Sequence, residues 1–302
     1  MAAGRVGLER QRGRLAGVLV RYLGIALLAW VLLTATPVLL LRWLRPLTSA
    51  FMVEARVAAW RAHQHDYHTD FRWVSLEQIS PHAAIAVIAS EDQQFPFHAG
   101  FDFNSIREAV RASEHGKRLR GASTISQQVA KNLFLWPGHS LVRKALEAYF
   151  TVLIETLWPK DRILEMYLNV AQFGDGIYGV QAAAERFWHK PALRLSSTEA
   201  ASLAAVLPNP LRLHAERPSQ YVIARRDWIL AQMRDLGGAG YLRALESERG
   251  TRKAFPVKCH RGHPDPRHGT TQLASFGRCH RQISWGTMNA YETGISSWLS
   301  VR

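Results

Sequence analysis

Apolar residues run without a charge from Tyr22 to Leu41, twenty positions closed by Arg21 and Arg42. In a helix of about 1.5 Å rise per residue that stretch spans roughly 30 Å, the thickness of a bilayer's hydrocarbon layer. It exceeds the apolar core of a signal peptide, about 7 to 15 residues, and no small-residue cleavage site follows, so one membrane helix is expected over 22–41. Pro37 is tolerable near the far end, and Trp43 falls at interfacial depth. Arg5, Arg10, Arg12, Arg14 and Arg21 precede the span, which keeps segment 1–21 cytoplasmic by the positive-inside rule and sends everything after residue 45 across.

Beyond a charged, histidine-containing connector over 46–70, the period of the apolar positions is helical. Ser80 as N-cap and Pro81 in the first turn open a helix through Ala84, Ile85, Val87 and Ile88 that is apolar on nearly every face and therefore central and buried. A helix is expected from about Ser105, with Asp102 capping it. Thr124 and Gln127 have capping-box spacing, and Ile125, Val129 and Leu133 follow on one face. Further helices are predicted from Leu141 to Leu157, from Asp161 as N-cap to Asn169, up to His189-Lys190-Pro191, and from Ser196, boxed with Glu199, to Leu207-Pro208. Gly174, Gly176 and Gly179 mark a break. With no series of alternating strands, the class is all-α, in one domain over 46–248. After Glu248 the helical period fades among Pro, Gly, His, Arg and Ser, and 249–302 is expected to be a basic, poorly ordered tail.

A net charge of +14 invites a nucleic-acid partner until it is divided along the chain. Residues 1–45 hold seven arginines against one glutamate, residues 249–302 nine bases against two acids, and the middle 22 bases against 21 acids. The excess sits at the ends, where it suits anionic lipid head groups, and DNA binding is not supported. Cys259 and Cys279 are free to pair in an oxidising compartment, but the body needs no disulfide framework. With His260, His263, His268 and His280 they fit no standard zinc spacing.

Glu91 ends the buried helix, a place from which a carboxylate can line a cleft, although an arbitrary glutamate is more often a solvated helix end. The helix opening at Ser123-Thr124 offers free amides and a positive dipole end, an intrinsic anion site. Gln127 and Lys131 share one of its faces, away from the apolar stripe. Glu147 lies among Leu146, Tyr149, Phe150 and Leu153, so its ionised form needs Arg143 or Lys144 as partner. Trp136, Phe150, Trp158, Phe173 and Trp188 suit either a lipid-facing surface or a core.

Glu91-Asp92-Gln93-Gln94-Phe95-Pro96-Phe97-His98-Ala99-Gly100-Phe101-Asp102, Gly121 to Asn132, Arg143 to Glu147 and Arg162 to Asn169 come in the order and spacing of glycosyltransferase family 51. The chain resembles those enzymes, which polymerise peptidoglycan from lipid II, over about residues 50–240. The resemblance implies a lysozyme-like helical fold with a smaller lobe near the membrane, and Glu91 as the base that activates the acceptor hydroxyl. It implies that Ser123, Thr124, Gln127, Gln128, Lys131, His139, Arg143 and Lys144 bind the donor diphosphate and that Glu147 supports that side. It implies no obligatory cofactor, though Mg or Mn at the diphosphate is allowed, and it gives Glu165, Tyr167 and Asn169 packing roles. His139 stands where the family commonly has a phosphate-binding arginine, and Leu146 where many relatives have lysine, which lowers the fixed positive charge at the donor site. A periplasmic, single-pass enzyme of the inner membrane is expected, working with membrane lipids, the growing glycan strand and other cell-wall proteins. The length left over is too short for a transpeptidase domain. A lysozyme-like hydrolase or lytic transglycosylase would share the glutamate and the helices, but has no need of the Ser-Thr-x-x-Gln-Gln-x-x-Lys helix. A membrane-tethered scaffold would need neither Glu91 nor Glu147.

Overall fold

The protein is represented by a computed structural model that describes residues 2–104, 107, 123–138, 140–243 and 245, with the side chains of 2–16 excepted. The expected helix from Ser105, His139, and the tail with its two cysteines lie outside the described residues.

Helix α1 (Ala2–Leu40) carries an apolar stretch, Gly17–Leu40, long enough to cross a membrane and almost wholly outside the protein core. Its apolar side chains face outward, as lipid contact requires and a soluble core helix would not allow. Helix α2 (Ala50–Arg61) follows, its first turn capped by Ser49, whose hydroxyl accepts from the Met52 amide. Helix α3 (Pro81–Glu91) has the anticipated start, Ser80 accepting from the His82 amide ahead of Pro81, and every residue from Ala83 to Ala89 is buried. The capping boxes at Thr124 and Ser196 both form, opening α4 (Ile125–Phe134) and, later, the helix Ser197–Val206. Helix α5 runs over Leu141–Leu157 as the periodicity predicts. Helix α6 (Lys160–Val170) begins two residues earlier than expected, with Pro159 rather than Asp161 as its N-cap. Asp161 instead lies in the first turn, where a carboxylate favours the positive helix end. The displacement follows from Lys160, which turns inward to Glu155 and the His98 carbonyl.

Three short strands, β1 (Asp70–Phe71), β2 (Gln172–Gly174) and β3 (Ile177–Tyr178), form a sheet of order β1-β3-β2, with β1 parallel and β2 antiparallel to β3. The all-α reading holds for the body, but this ribbon was not foreseen, because two or three residues are too few for an alternation to show. Helices α7 (Val180–Trp188), α8 (Ser197–Val206) and α9 (Gln220–Asp235) complete the domain. Helix α3 packs against α8 and α9, and α4 against α5 and α6, so the end of α3 meets the start of α4 between the two groups. Phe150, Trp158 and Phe173 belong to the core, and Trp188 is half-buried against it; of the five aromatics weighed as a lipid-facing surface, only Trp136 is exposed.

The membrane helix is bolted to this body. Thr34 Oγ1 and the Tyr149 hydroxyl lie 2.6 Å apart, and Trp158 Nε1 donates to the Val38 carbonyl at 2.7 Å. Arg162 donates to the Leu41 carbonyl through Nε and Nη2 at 3.1 and 2.9 Å, and to that of Leu44 at 2.6 Å. Carbonyls in the last turn of a helix have no partner within it, so these donors satisfy the end of α1 and set where it leaves the body.

Gly179 closes the ribbon onto α6 at φ +84°, where an added Cβ would stand 2.5 Å from the Asn169 carbonyl oxygen. Gly179→Ala is expected to cost roughly 2–3 kcal/mol and lower Tm by about 4–10 °C. Thermal unfolding in detergent checks this, and an unchanged Tm would show that the α6 carbonyl yields without cost.

Candidate active site

Glu91 is the last residue of α3, and the apolar helix behind it determines its chemistry. Its side chain is 16% exposed, and burial pushes its carboxyl above the ordinary range. Gln128 Nε2 donates to Oε2 at 2.9 Å and Arg225 Nη2 stands 3.8 Å from Oε1. Gln128, Arg225 and Lys131 pull the pKa back, in that order, and neighbouring Asp92 adds to the rise. Gln128 is itself oriented by the Tyr167 hydroxyl, which donates to its Oε1 at 3.2 Å. Burial, with Glu91 and Asp92 nearby, holds that hydroxyl protonated, so it stays a donor.

Asp92 joins this helix end to the start of α4. Its carboxylate accepts from the Ile125 amide at 3.0 Å and lies 2.8 and 3.0 Å from His98 Nε2. The Gly100 amide donates to His98 Nδ1, which fixes the imidazole from its other side. The Thr124 hydroxyl donates to the Gly100 carbonyl at 2.7 Å, while Thr124 N donates to Gln127 Oε1 and Gln127 N to Thr124 Oγ1. Gln127 and Thr124 are therefore engaged within the fold, and the α4 amides expected to be free for an anion are in part already covered, Ile125 by Asp92 and Gln127 by Thr124. The α4 side chains that lie beside Glu91 are Gln128 and Lys131, at i and i+3, while Gln127 closes the cap. Ser123 is exposed just before the cap. Asp102 accepts from the Asn104 amide at 3.0 Å.

On the other side of Lys131 lies the second carboxylate. Glu147 is buried, bonded to Lys144 Nζ, and 3.6 Å from Arg143 Nη1, as its surroundings demand. Burial lowers the Lys131 pKa; Glu147 and Glu91 oppose that fall, and Arg143 and Lys144 add to it. Its ammonium, 5.7 Å from the centre of the Phe51 ring, thus lies within the field of both carboxylates. Lys144, with its side chain 52% exposed, is the cation of this group most open to solvent. Glu155, bonded to the Ser126 hydroxyl and 2.8 Å from Lys160 Nζ, belongs to a buried ion pair that holds the His98 loop. Among the described residues no three candidate ligands gather for a metal. Glu147 is a single carboxylate already closed by two cations, so these residues do not make an oxygen cage for Mg or Mn.

One residue of this cluster lay beyond sequence reasoning: Arg225 sits in α9, far along the chain, and no local pattern ties it to Glu91. Gln128, expected with Gln127 on the diphosphate side, is turned by the helix toward Glu91, while Gln127 closes the cap.

The family model described as transglycosylase matches residues 59–234, which contain every residue of this cluster. The chain belongs to the transglycosylase family. Its curated relatives include a biosynthetic peptidoglycan transglycosylase of Cronobacter sakazakii, 58% identical over 194 residues, covering 64% of this chain and 80% of the relative. One from Xanthomonas campestris is 56% identical over 207 residues, 68% of this chain and 84% of the relative. That of Pectobacterium carotovorum is 50% identical over 242 residues, 80% of this chain and 96% of the relative. The lysozyme-like helical class anticipated from the motifs is thus the class of this transglycosylase, and glycosyl transfer is its chemistry.

The buried Glu91 has a consequence for stability. Between the ordinary glutamate pKa of about 4.3 and its raised folded value, the folded transglycosylase holds more protons than the unfolded chain. Stability at this group therefore falls as pH rises through that window. Glutamine cannot ionise and can still accept from Gln128, so Glu91→Gln should unfold at a higher temperature than the parent above the window and lose the advantage below it. Melting curves across that pH range test this. A variant less stable than the parent at neutral pH would mean that Arg225 and Lys131 outweigh burial.

Proposed function

We propose that this transglycosylase polymerises lipid II into β-1,4-linked glycan strands of peptidoglycan, with the growing strand on undecaprenyl diphosphate as donor and lipid II as acceptor. The observation that carries the reading is the pairing of a buried carboxylate of raised pKa, Glu91, with a cationic group formed by Lys131, Arg143 and Lys144 around Glu147. In the reaction Glu91 accepts the proton of the acceptor's 4-hydroxyl as that oxygen attacks the donor's anomeric carbon. The bond from that carbon to the diphosphate oxygen breaks, the configuration inverts, and undecaprenyl diphosphate leaves with its charge met by Lys131 and Lys144. A base works best with a pKa near the operating pH, and burial moves Glu91 in that direction. Gln128 orients the carboxylate, and Glu147 keeps Arg143 and Lys144 in place. A divalent ion at the diphosphate would have to be held largely by the substrate's own oxygens, and no step is assigned to one.

The body follows directly on an outward-facing apolar helix, which supports single-pass anchoring with the catalytic domain on the periplasmic face of the inner membrane. The domain proposed for catalysis is 46–248.

Labelled lipid II and gel separation of the products test the assignment. Glu91→Gln should fold and lose polymer synthesis by about 10²- to 10⁴-fold; near-normal yield excludes Glu91 as the base. Glu147→Gln should also be damaging, because Arg143 and Lys144 lose their shared partner; normal polymerisation would leave Glu147 a structural residue. Gln128→Leu removes a hydrogen bond that favours the ionised Glu91, so its carboxyl should titrate higher. The rising acid limb of the pH–rate profile should then move to higher pH, with a greater loss at pH 6 than at pH 8. An unmoved limb would separate Gln128 from the base.

A further inference from the structure

Where α1 gives way to the body there is a cavity of about 500 Å³ whose lining includes Trp43, Arg45, Ser75, Gln78, Arg162 and Glu165. It is not part of the cluster at Glu91. Glu165 and Tyr167 are two positions apart on α6, about 200° of rotation, and Tyr167 faces Gln128 while Glu165 faces the cavity. Arg162 is internally engaged, 2.9 Å from Glu165 Oε2 and bonded to the carbonyls of Leu41 and Leu44. That pair is neutral and forms the wall.

Arg45 is different. It is exposed and has no ion-pair partner among the described residues, so it gives the cavity its net positive charge. Beside it, Ser75 N and Oγ both donate to Gln78 Oε1, at 3.2 and 3.4 Å, which fixes the Gln78 amide and leaves its NH2 group as a donor. The group lies just past the apolar span that ends at Leu40, the depth of lipid phosphates, and Trp43, 67% exposed, belongs to the type of residue enriched there. A cation, a fixed amide donor and an indole at that depth are complementary to a phosphodiester with apolar chains below it.

We propose that this cavity seats the phosphate of an anionic phospholipid head group, with Arg45 supplying the charge and the Gln78 amide a neutral hydrogen bond. The lipid is a bound companion of the junction, not a substrate. The inference rests on α1 being a membrane anchor and is independent of the roles given to Glu91 and Glu147.

Full-length protein, Arg45→Gln and Gln78→Leu, each in nanodiscs of phosphatidylcholine mixed with phosphatidylglycerol, can be released in native mass spectrometry and the retained lipids identified. The parent should keep phosphatidylglycerol in preference to phosphatidylcholine, and Arg45→Gln should lower that preference about fivefold, with a smaller loss in Gln78→Leu. Equal retention by the parent and both variants overturns the site. Titration with inorganic phosphate distinguishes the other source of the same chemistry. If phosphate binds in an Arg45-dependent manner while no lipid preference exists, the cavity is a free-phosphate site and the lipid assignment fails. Vesicle flotation of the same samples isolates the underlying assumption: protein that does not float overturns the anchor and the proposal with it.

Discussion

The Asp92 carboxylate is the constraint on which the geometry of the site depends. It is only 7% exposed, and its two oxygens bond the Ile125 amide and the His98 ring, so one side chain ties the end of α3, the loop over 92–100 and the start of α4. A carboxyl group so deep needs such donors around it, and removing one leaves a buried acceptor without its partner. With the end of α3 tied in this way to the start of α4, Gln128 lies opposite the neighbouring Glu91 and donates to it. Gly100 belongs to the same arrangement: at φ +83° it leaves no room for a side chain against Thr151 and Glu155, so the loop can lie directly on α5.

Much of this was legible because local signals and global packing agree. The ends of α3 and α5 follow from apolar runs, and both capping boxes from Ser or Thr three residues before Gln or Glu. The need of Glu147 for Arg143 and Lys144 follows from the apolar residues around it. What was hidden is of two kinds. Arg225 meets Glu91 only because α9 packs on α3, a relation between distant segments that carries no local period. The start of α6 and the use of the α4 amides went astray because a tertiary partner outcompeted a local one: Lys160 is drawn to Glu155, and Asp92 occupies an amide that the isolated helix would leave free.

The same competition explains the junction with α1. Viewed alone, the end of a membrane helix has unpaired carbonyls at a depth where water is scarce. Here Trp158, Arg162 and Arg42 of the junction are placed as donors, the last to the Leu157 carbonyl at 2.7 Å, so each element completes the other's backbone. The helix therefore does more than tether the body. It holds the body at a set place along α1, which matters for an enzyme whose proposed substrates stay embedded by their lipid chains.

Glu91 shows why the stability and the chemistry of this fold pull apart. An α3 apolar on every face is an advantage to the core and a cost to the carboxylate at its end, whose ionisation it opposes. A closer cation would remove that cost, but it would also lower the pKa and weaken the proposed base. Arg225 at 3.8 Å is beyond hydrogen-bond distance, and the partner within it is the neutral Gln128 amide, held by a hydroxyl whose own burial prevents its ionisation. Orientation is thus supplied by neutral groups, and charge is kept at the far side of Lys131, around Glu147. In the proposed reaction that division lets one side hold a reluctant anion that takes up a proton, while the other side holds cations for the leaving diphosphate.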